Sequence, residues 1–315
     1  MAVNTLFIGG AGFIGSSIIK KMMQEKVEVG DVFVLEPSYA NLSRLEDIPV
    51  KVITGDISNI DLIETLIKTN DIKKIVHLVS NMVPGSGYEE YKSEFESVIF
   101  PTVRLLQLCS EHNIQFIFFS SGGTVYGERK NMKPFVETDP KEPISYYGLS
   151  KQVIENSIIF EHRTSNLQYL ILRPSNPYGP GQNINGHQGL IAVAMGKILS
   201  RKPVTIWGDG TSVRDYIYID DLSNAFCQLF NKGVTNKIVN IGSGKGYSIK
   251  QIMDILSSVV DENVVIEFSK SRKNDVTNMI LDTTLLKSLI DMDLMSIEHG
   301  IKQFYEYEKE VNKNG

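Results

Sequence analysis

Tyr147 and Lys151 stand four residues apart in the segment SYYGLSK, where the pattern predicts the start of a helix. That spacing places both side chains on one face of a helix. A phenol with a pKa of about 10 is a poor base at neutral pH, but a nearby ammonium would lower that pKa. The pair is therefore predicted to accept and return the proton of an alcohol.

The segment GGAGFIG spaces three glycines at intervals of three, between a predicted strand and a predicted helix. Gly9 permits a tight turn, Gly12 lets a pyrophosphate approach the backbone, and Gly15 lets the helix pack closely on the strand. Phe13 and Ile14 complete this turn, and the helix that follows offers unpaired N–H groups to phosphate. The motif predicts a dinucleotide-binding site.

An acidic residue, Glu36, ends the second predicted strand 27 positions after Gly9. A carboxylate at this place accepts hydrogen bonds from ribose hydroxyls and repels a 2′-phosphate, which favours NAD over NADP. The alternative is a surface glutamate that caps a turn. Four further residues complete the predicted cofactor site. One of them, Asp56, is expected either to face the adenine or to cap the next helix. These positions are Asp56, Ile57, Val79 and Ser80.

The elements that position these residues alternate between short β-rich runs and helical patterns. Strands are predicted at 5–9, 32–36, 51–55, 74–79, 115–120 and 168–173. Helices are predicted at 16–24, 61–68, 100–109 and 149–160. Because the strands are apolar on both faces, we expect an α/β fold: a Rossmann-type, doubly wound parallel sheet covered by helices, with a smaller C-terminal α/β lobe.

The composition of the chain changes after Arg173. Residues 174–189 contain four glycines and three prolines, so we expect a functional loop without regular structure. A helix is predicted at 190–200 and a strand near 264–268. We assign residues 1–173 and about 216–241 to an NAD-binding domain, and about 174–215 and 242–315 to a substrate-binding lobe.

Composition excludes several classes of function. The net charge of −5 over 315 residues argues against a nucleic-acid or anionic-membrane partner. Two isolated cysteines, Cys109 and Cys227, are interpreted as reduced core thiols, and five scattered histidines lack ligand spacing, so no metal site is predicted. No apolar run approaches the roughly 20 residues of a membrane span, and the N-terminal residues lead directly into a strand, so a cytoplasmic enzyme is expected.

The chain resembles the extended short-chain dehydrogenases, in particular the nucleotide-sugar epimerases and dehydratases. The resemblance covers nearly the whole chain, and eight segments carry it in the order of that family. These are GGAGFIG, GDI, SSGGTVYG, YYGLSK, LRPSNPYGPGQ, WGDGTSVRDYIYIDD, NIGSG and SRKNDV. It implies NAD as cofactor and a nucleotide sugar as substrate. It also implies a homodimer, through the helices predicted at 100–109 and 149–160.

The resemblance also implies roles for single residues. Tyr147 would be the base, and Lys151 would support it and hold the nicotinamide ribose. Arg214 and Arg272 would bind the diphosphate of the substrate, and Trp207 would lie near the nucleobase. The alternatives are that Arg272 lies on the surface and that Trp207 belongs to the core. The full set of implied substrate-binding residues is Thr124, Tyr147, Asn176, Leu190, Trp207, Arg214 and Arg272.

The segment SSGGTVYG departs from the family. Gly122 stands where 4-epimerases carry a serine and where dehydratases carry a threonine followed by Asp and Glu. Without those carboxylates, loss of water from the sugar is disfavoured. Without the serine, the hydrogen bond to the sugar hydroxyl comes from Thr124, our first candidate, or from Ser121. Otherwise Tyr147 works without that partner, at a cost on the order of 10²-fold in rate. Residues 93–102 also lack the asparagine usual in the family, so water or another side chain must support Lys151.

The function predicted from these residues is NAD-dependent inversion of C4 in a UDP-hexose through a 4-keto intermediate. The sugar is of the glucose/galactose type, with N-acetylated and uronic forms left open. One alternative is a 4-keto-reductase of a nucleotide 6-deoxysugar. The other, from a different class, is an NAD-binding regulator without catalysis, against which the retained Tyr147, Lys151, Arg214 and Arg272 argue.

Overall fold

The computed structural model describes residues 2–25, 27–129, 131–261, 264–270 and 277–314. Seven of the described strands form one parallel sheet. Their bounds are β1 Val3–Ile8, β2 Val29–Glu36, β3 Lys51–Thr54, β4 Ile72–His77, β5 Gln115–Phe119, β6 Tyr169–Pro174 and β10 Lys237–Ile241. The spatial order is β10-β6-β5-β4-β1-β2-β3, so the direction of winding reverses between β1 and β4. This is the predicted doubly wound sheet.

Helices cover both faces of this sheet. Helices α1 and α7 bury their apolar stripes on one face, and α2, α4 and α5 bury theirs on the other. The helices between β1 and β10 are α1 Phe13–Gln24, α2 Ile60–Asn70, α3 Tyr88–Glu94, α4 Phe100–Glu111, α5 Tyr146–Ser165, α6 Leu190–Leu199 and α7 Ile219–Asn231. Both cysteines lie in this core, buried and without a disulfide.

Helix α5 is anchored on either side of Tyr147 and Lys151, the two residues of the predicted chemistry. The side chain of Ser145 caps its N-terminus by accepting a hydrogen bond from the backbone N–H of Gly148, at 3.1 Å. Further along, Glu155 is fully buried and accepts two hydrogen bonds from Arg173 at the end of β6, at 2.9 and 2.7 Å. Because both charges are paired and buried, breaking this contact would be costly, and α5 is fixed against the sheet.

A smaller mixed sheet forms around β9, which pairs with β7 and β13 in parallel and with β11 antiparallel. Strands β8 and β12 make a separate parallel pair. The remaining elements are β7 Asn176–Tyr178, β8 Val204–Trp207, β9 Val213–Tyr218, β11 Gly246–Ser248, α8 Ile249–Val259, β12 Ile266–Ser269, β13 Asn278–Met279, α9 Thr284–Leu289 and α10 Ile297–Asn314. The division of the chain into two lobes at the predicted boundaries stays a prediction.

Two expectations about local structure were wrong. The glycine- and proline-rich stretch 174–189 contains a short strand, β7, because its backbone pairs with β9. Two helices begin three residues earlier than predicted: α1 at Phe13 and α5 at Tyr146. The latter places Tyr147 in the first helical turn. In the described part of the chain, every helix is too short or too polar to cross a bilayer.

Candidate active site

One cavity of about 1150 Å³ runs along the carboxyl ends of β1, β4, β5 and β6. It crosses the point at which the strand order reverses, which is where ligands bind in open parallel sheets. Its wall includes the glycine turn at one end and Ser121, Tyr147, Asn176 and Arg214 at the other. The motifs that the sequence separates by up to 200 residues therefore share one space.

The glycine turn fits a dinucleotide by its shape. Gly9 adopts φ +83°, a conformation that favours glycine. A Cβ at Gly15 would approach Gly10 to 2.7 Å, whereas a Cβ at Gly12 would meet only the Gly9 carbonyl oxygen, at 3.6 Å, and would point into open space. No side chain caps the N-terminus of α1, so its first N–H groups can face a phosphate.

Glu36 is a buried residue and does not cap a surface turn. Only 8% of the residue is exposed, and its Oε1 accepts a hydrogen bond from the backbone N–H of Ala11 at 2.6 Å. Burial raises the pKa of this carboxyl, and the bond from Ala11 acts in the opposite direction. Glu36 thus holds the glycine turn from behind and is not itself among the residues that line the cavity.

The other predicted cofactor residues divide into two groups. Val79 packs beside Gly9, and Ser80 lines the cavity. Asp56 is exposed and accepts a hydrogen bond from the backbone N–H of Ser58, at 2.8 Å, and another from its hydroxyl. Asp56 does not cap α2, since the side chain of Asn59 does so. Ile57 is part of the apolar core.

Tyr147 and Lys151 face the same cavity, as their spacing predicts. Lys151 is 3% exposed, and its Nζ donates a hydrogen bond to the Phe119 carbonyl oxygen at 3.2 Å. The same Nζ lies 5.7 Å from the centroid of the Tyr147 ring. The end of β5 and the first turns of α5 therefore build one site, in which an ammonium lies beside a phenol.

Burial dominates the ionisation of both groups. It raises the pKa of Tyr147 to about 12; the negative charge of Glu94 acts in the same direction, and a hydrogen bond with Ser121 acts against them. Burial lowers the pKa of Lys151 to about 8, against the charges of Glu94 and Glu155. The expected lowering of the phenol pKa is therefore not produced by the protein alone. The charge of the nicotinamide ring remains the contribution expected to oppose burial.

The two glycines of SSGGTVYG differ in the space around them. A Cβ at Gly122 would lie 2.6 Å from Leu281 Cδ1 and 2.9 Å from the Arg173 carbonyl oxygen. A Cβ at Gly123 would make only ordinary contacts, the nearest at 3.7 Å. A serine at the first position, which the resemblance to 4-epimerases implies, would be crowded here by Leu281 and the Arg173 carbonyl oxygen, which accounts for Gly122 sterically.

The hydroxyls on either side of these glycines both line the cavity. Ser121 forms a hydrogen bond with Tyr147. The hydroxyl of Thr124 is buried and has no hydrogen-bond partner among the described residues. Our second candidate, Ser121, therefore contacts the phenol directly, whereas the hydroxyl of our first candidate, Thr124, is buried and unsatisfied in the cavity wall.

The predicted substrate residues are only partly brought together. Asn176 donates to the Asp215 carbonyl oxygen at 2.8 Å, and both Asn176 and Arg214 line the cavity. Leu190 packs among apolar residues of the C-terminal elements. Trp207 is 42% exposed at the end of β8, outside the cavity wall. Arg272 lies outside the described residues.

Three cavity-side residues escaped the sequence reasoning. Glu94 is buried behind Ser80, and its place in the apolar stripe of Tyr91, Phe95 and Val98 was a usable signal. Two more, Ser175 and Gln182, line the cavity with buried oxygens that lack partners among the described residues; loop composition gave no signal for them. The described residues also hold no group of three His, Cys, Asp or Glu side chains suited to a metal ion.

Comparisons with a family profile, with named proteins and with a crystal structure show which proteins this chain resembles. The profile of the NAD dependent epimerase/dehydratase family matches residues 5–242. A protein of Methanocaldococcus jannaschii with the provisional name of UDP-glucose 4-epimerase is 31% identical over 98% of this chain and 99% of its own. A dTDP-4-dehydro-6-deoxyglucose reductase of Escherichia coli is 33% identical over 88% of each chain. The crystal structure of Thermotoga maritima UDP-glucose 4-epimerase with UDP-glucose superposes with a TM-score of 0.89 at 30% identity, covering 98% of this chain and 100% of the other.

Proposed function

This chain belongs to the NAD-dependent epimerase/dehydratase family, and on that basis we propose that it is a 4-epimerase of a UDP-hexose. The observation that supports this most strongly is the single cavity lined by the glycine turn, by Tyr147 and Lys151, and by Asn176 and Arg214. A dinucleotide at one end and a nucleotide sugar at the other would bring a sugar hydroxyl to the phenol.

In this proposal Tyr147 takes the proton of the 4-hydroxyl and returns it after the sugar has turned in the cavity. Bound NAD supplies the reversible oxidation of C4. Ser121, which forms a hydrogen bond with Tyr147, orients the phenol oxygen and can share the sugar hydroxyl. Lys151 stays largely protonated at neutral pH, because its pKa of about 8 lies above 7, and its charge favours the phenolate.

The substrate would be held by the far end of the cavity. The guanidinium of Arg214 suits a diphosphate, and Asn176 lies beside it on β7. We retain Arg272, Trp207 and Leu190 as proposals of the resemblance. The missing Asp and Glu after Gly122 disfavour a dehydratase, which needs an acid and a base to expel water.

The test is interconversion of UDP-glucose with UDP-galactose by the purified protein, together with the N-acetylated and uronic pairs. We expect one pair to reach equilibrium from either side without net consumption of added NAD. Absence of turnover with every pair would contradict the proposal. Mass spectrometry of ligands released from denatured protein gives an independent result, since retained NAD and nucleotide sugar would identify themselves.

A second candidate is reduction of a nucleotide-linked 4-keto-6-deoxyhexose. The specific observation in its favour is the 33% identity to the E. coli dTDP-4-dehydro-6-deoxyglucose reductase. Such a reductase consumes one reduced cofactor for each product. Stoichiometric loss of NADH absorbance with the keto sugar, and no interconversion of hexoses, would select it.

We also propose a homodimer formed through α4 and α5. Phe100 on α4 and Phe160 on α5 are 60% and 65% exposed, and exposed aromatic rings on neighbouring helices suit a two-fold interface. Sedimentation of the wild type and of Phe160→Lys tests this. We expect a dimer that the substitution converts to a monomer, and a monomeric wild type would contradict the proposal.

A further inference from the structure

Asp215 is a fully buried carboxylate on β9, directly after Arg214, and the mechanism above does not use it. Its Oδ1 accepts hydrogen bonds from the backbone N–H and the hydroxyl of Ser243, at 2.9 and 2.8 Å. Its Oδ2 accepts from the backbone N–H groups of Gly244, at 3.1 Å, and Leu281, at 3.3 Å. One side chain therefore joins β9 to the turn after β10 and to the segment after β13.

The charge of Asp215 is held by donors that are themselves uncharged. Burial raises its pKa to about 6, and the four hydrogen bonds act in the opposite direction, so the group is ionised at neutral pH. A buried charge without a close counter-charge is costly to maintain. The arrangement therefore needs a reason beyond the packing of β9.

The backbone of Asp215 contacts the substrate end of the cavity. Its carbonyl oxygen accepts a hydrogen bond from Asn176 Nδ2 at 2.8 Å. The other amide atom, Asn176 Oδ1, lies 3.8 Å from the place that a Cβ at Gly123 would occupy. Asn176 and Arg214 both line the cavity. The position of β9 at Asp215 thus sets the position of both side chains.

Leu281 extends this link to the segment SSGGTVYG. Its backbone N–H donates to the Asp215 carboxylate, and its Cδ1 lies 2.6 Å from the place that a Cβ at Gly122 would occupy. The residues on either side of the two glycines are Ser121 and Thr124, whose hydroxyls line the cavity. Direct contacts therefore lead from one carboxylate both to the substrate end and to the segment beside the phenol.

We propose that Asp215 is a positioning residue for substrate binding, whose carboxylate fixes Asn176 and Arg214 at the distance from the segment SSGGTVYG that a nucleotide-linked sugar requires. This inference rests on the proposed function, in which those two side chains bind the substrate. The contacts that carry it do not include the glycine turn. NAD binding should therefore not depend on Asp215.

The number of acceptors explains why an aspartate is needed. Asparagine has the same shape but only one oxygen, and its NH₂ group would face two of the four donors. Those two buried donors would lose their partner, so Asp215→Asn should release either the turn at Ser243 or the segment at Leu281. We expect KM for the nucleotide sugar to rise roughly 10-fold, with kcat changed by less than about 3-fold.

The experiment compares kcat, KM and NAD content in wild-type holoenzyme, Asp215→Asn and the matched control Asp221→Asn. Asp221 is a partly buried aspartate on α7 that accepts a hydrogen bond from the Met295 backbone N–H at 2.9 Å, outside the cavity wall. We expect KM to rise in Asp215→Asn only, with NAD content unchanged in both variants. A variant Asp215→Asn that loses Tm and kcat but keeps KM would indicate a merely structural role and overturn the proposal.

A second measurement does not depend on turnover. Calorimetry on NAD-loaded protein gives the affinity for UDP and for dTDP, which contain the diphosphate but no sugar. We expect roughly 10-fold weaker binding in Asp215→Asn and roughly 2- to 5-fold weaker binding in Ser243→Ala, which removes one of the four donors. Should Asp215→Asn not fold, an unchanged affinity in Ser243→Ala overturns the inference.

The outcomes separate this inference from the proposed function. Affinities equal to that of the wild type in both variants overturn the inference even where epimerisation is found. Weakened binding without turnover of any hexose pair leaves it standing and contradicts only the proposed function. A wild-type protein that binds neither UDP nor dTDP contradicts both.

Discussion

The two ends of the cavity are built in different ways. The cofactor end, defined as residues 9–15 with Glu36, comes from one βαβ unit and uses backbone N–H groups and space left by missing side chains. The chemical end, defined as Ser121, Tyr147, Lys151, Asn176 and Arg214, comes from four segments spread over more than 90 residues of the chain. One end depends on local geometry, and the other depends on side chains that the whole sheet must bring together.

Because of this difference, mutations at the two ends should have different consequences. A change at the cofactor end acts through sterics on a turn that also packs α1 against β1, so binding and folding are coupled there. The reacting side chains at the chemical end are held by α5, whose anchors are the Ser145 cap and the buried Glu155. A conservative change to a reacting group should therefore remove chemistry and leave both the fold and cofactor binding intact.

The largest expected effect separates the two ends most clearly. Tyr147→Phe removes the proton acceptor and keeps the ring, so kcat should fall by roughly 10²- to 10⁴-fold. NAD released per subunit on denaturation should be unchanged. The matched control is Tyr146→Phe, which alters the preceding residue of α5 and should keep most of the activity. Equal losses in the two variants would break the assignment of Tyr147 as the base.

The next prediction divides the cofactor end itself. In Gly15→Ala the new methyl meets backbone atoms of Gly10 at 2.7 Å, so we expect Tm to fall by roughly 2–10 °C and NAD to be lost. In Gly12→Ala the methyl meets only the Gly9 carbonyl oxygen, at 3.6 Å, so the Tm of the NAD-free protein should hold.

Gly12→Ala should still weaken NAD binding by about tenfold or more, because the methyl occupies the space that the pyrophosphate needs. Calorimetry on NAD-stripped protein and NAD titration measure the two properties separately. If Gly12→Ala bound NAD as tightly as the wild type, the pyrophosphate would have to lie elsewhere, and the cofactor end would need a new assignment.

The comparison also shows why sequence reasoning succeeded unevenly. The glycine turn and Glu36 were predictable because strand, turn, helix and acidic residue follow one another within 30 residues. Tyr147 and Lys151 were predictable because helical spacing pairs them. The raised pKa of Tyr147 was not predictable from the sequence, since it depends on burial by distant elements. Gln182 could not be predicted, because loop composition gives no signal for a residue that lines the cavity, whereas Glu94 was missed although its place in an apolar helical stripe was a usable signal.

The third prediction tests the steric reading of the two glycines at the chemical end. Gly122→Ser restores the residue of the 4-epimerases but drives its Cβ against Leu281 and the Arg173 carbonyl. We expect a loss of unfolding free energy of roughly 1–3 kcal/mol, typical of overpacking. Gly123→Ser finds ordinary contacts and should cost less than about 1 kcal/mol. Denaturant unfolding measures the free energy of unfolding of both variants. Equal values for Gly122→Ser and Gly123→Ser would refute the steric reason for Gly122.

The smallest expected effect concerns a contact between the segment after β2 and the glycine-rich segment 174–189 beside the cavity. Arg44, in the short 3-10 helix Ser43–Leu45 that follows β2, donates two hydrogen bonds to the Gly181 carbonyl oxygen, at 3.2 and 2.9 Å. The next residue, Gln182, lines the cavity. Because exposed hydrogen bonds contribute modestly, Arg44→Ala should accelerate NAD release by roughly 2- to 10-fold, as measured by chase with labelled NAD.

Arg44→Lys is the matched variant for this contact. Lysine keeps the charge but lacks the planar fork that delivers two hydrogen bonds to one carbonyl. We expect its NAD release rate to fall between those of the wild type and Arg44→Ala, with kcat unchanged in both. If Arg44→Ala released NAD no faster than the wild type, the contact between Arg44 and Gly181 would have no part in holding NAD in the cavity.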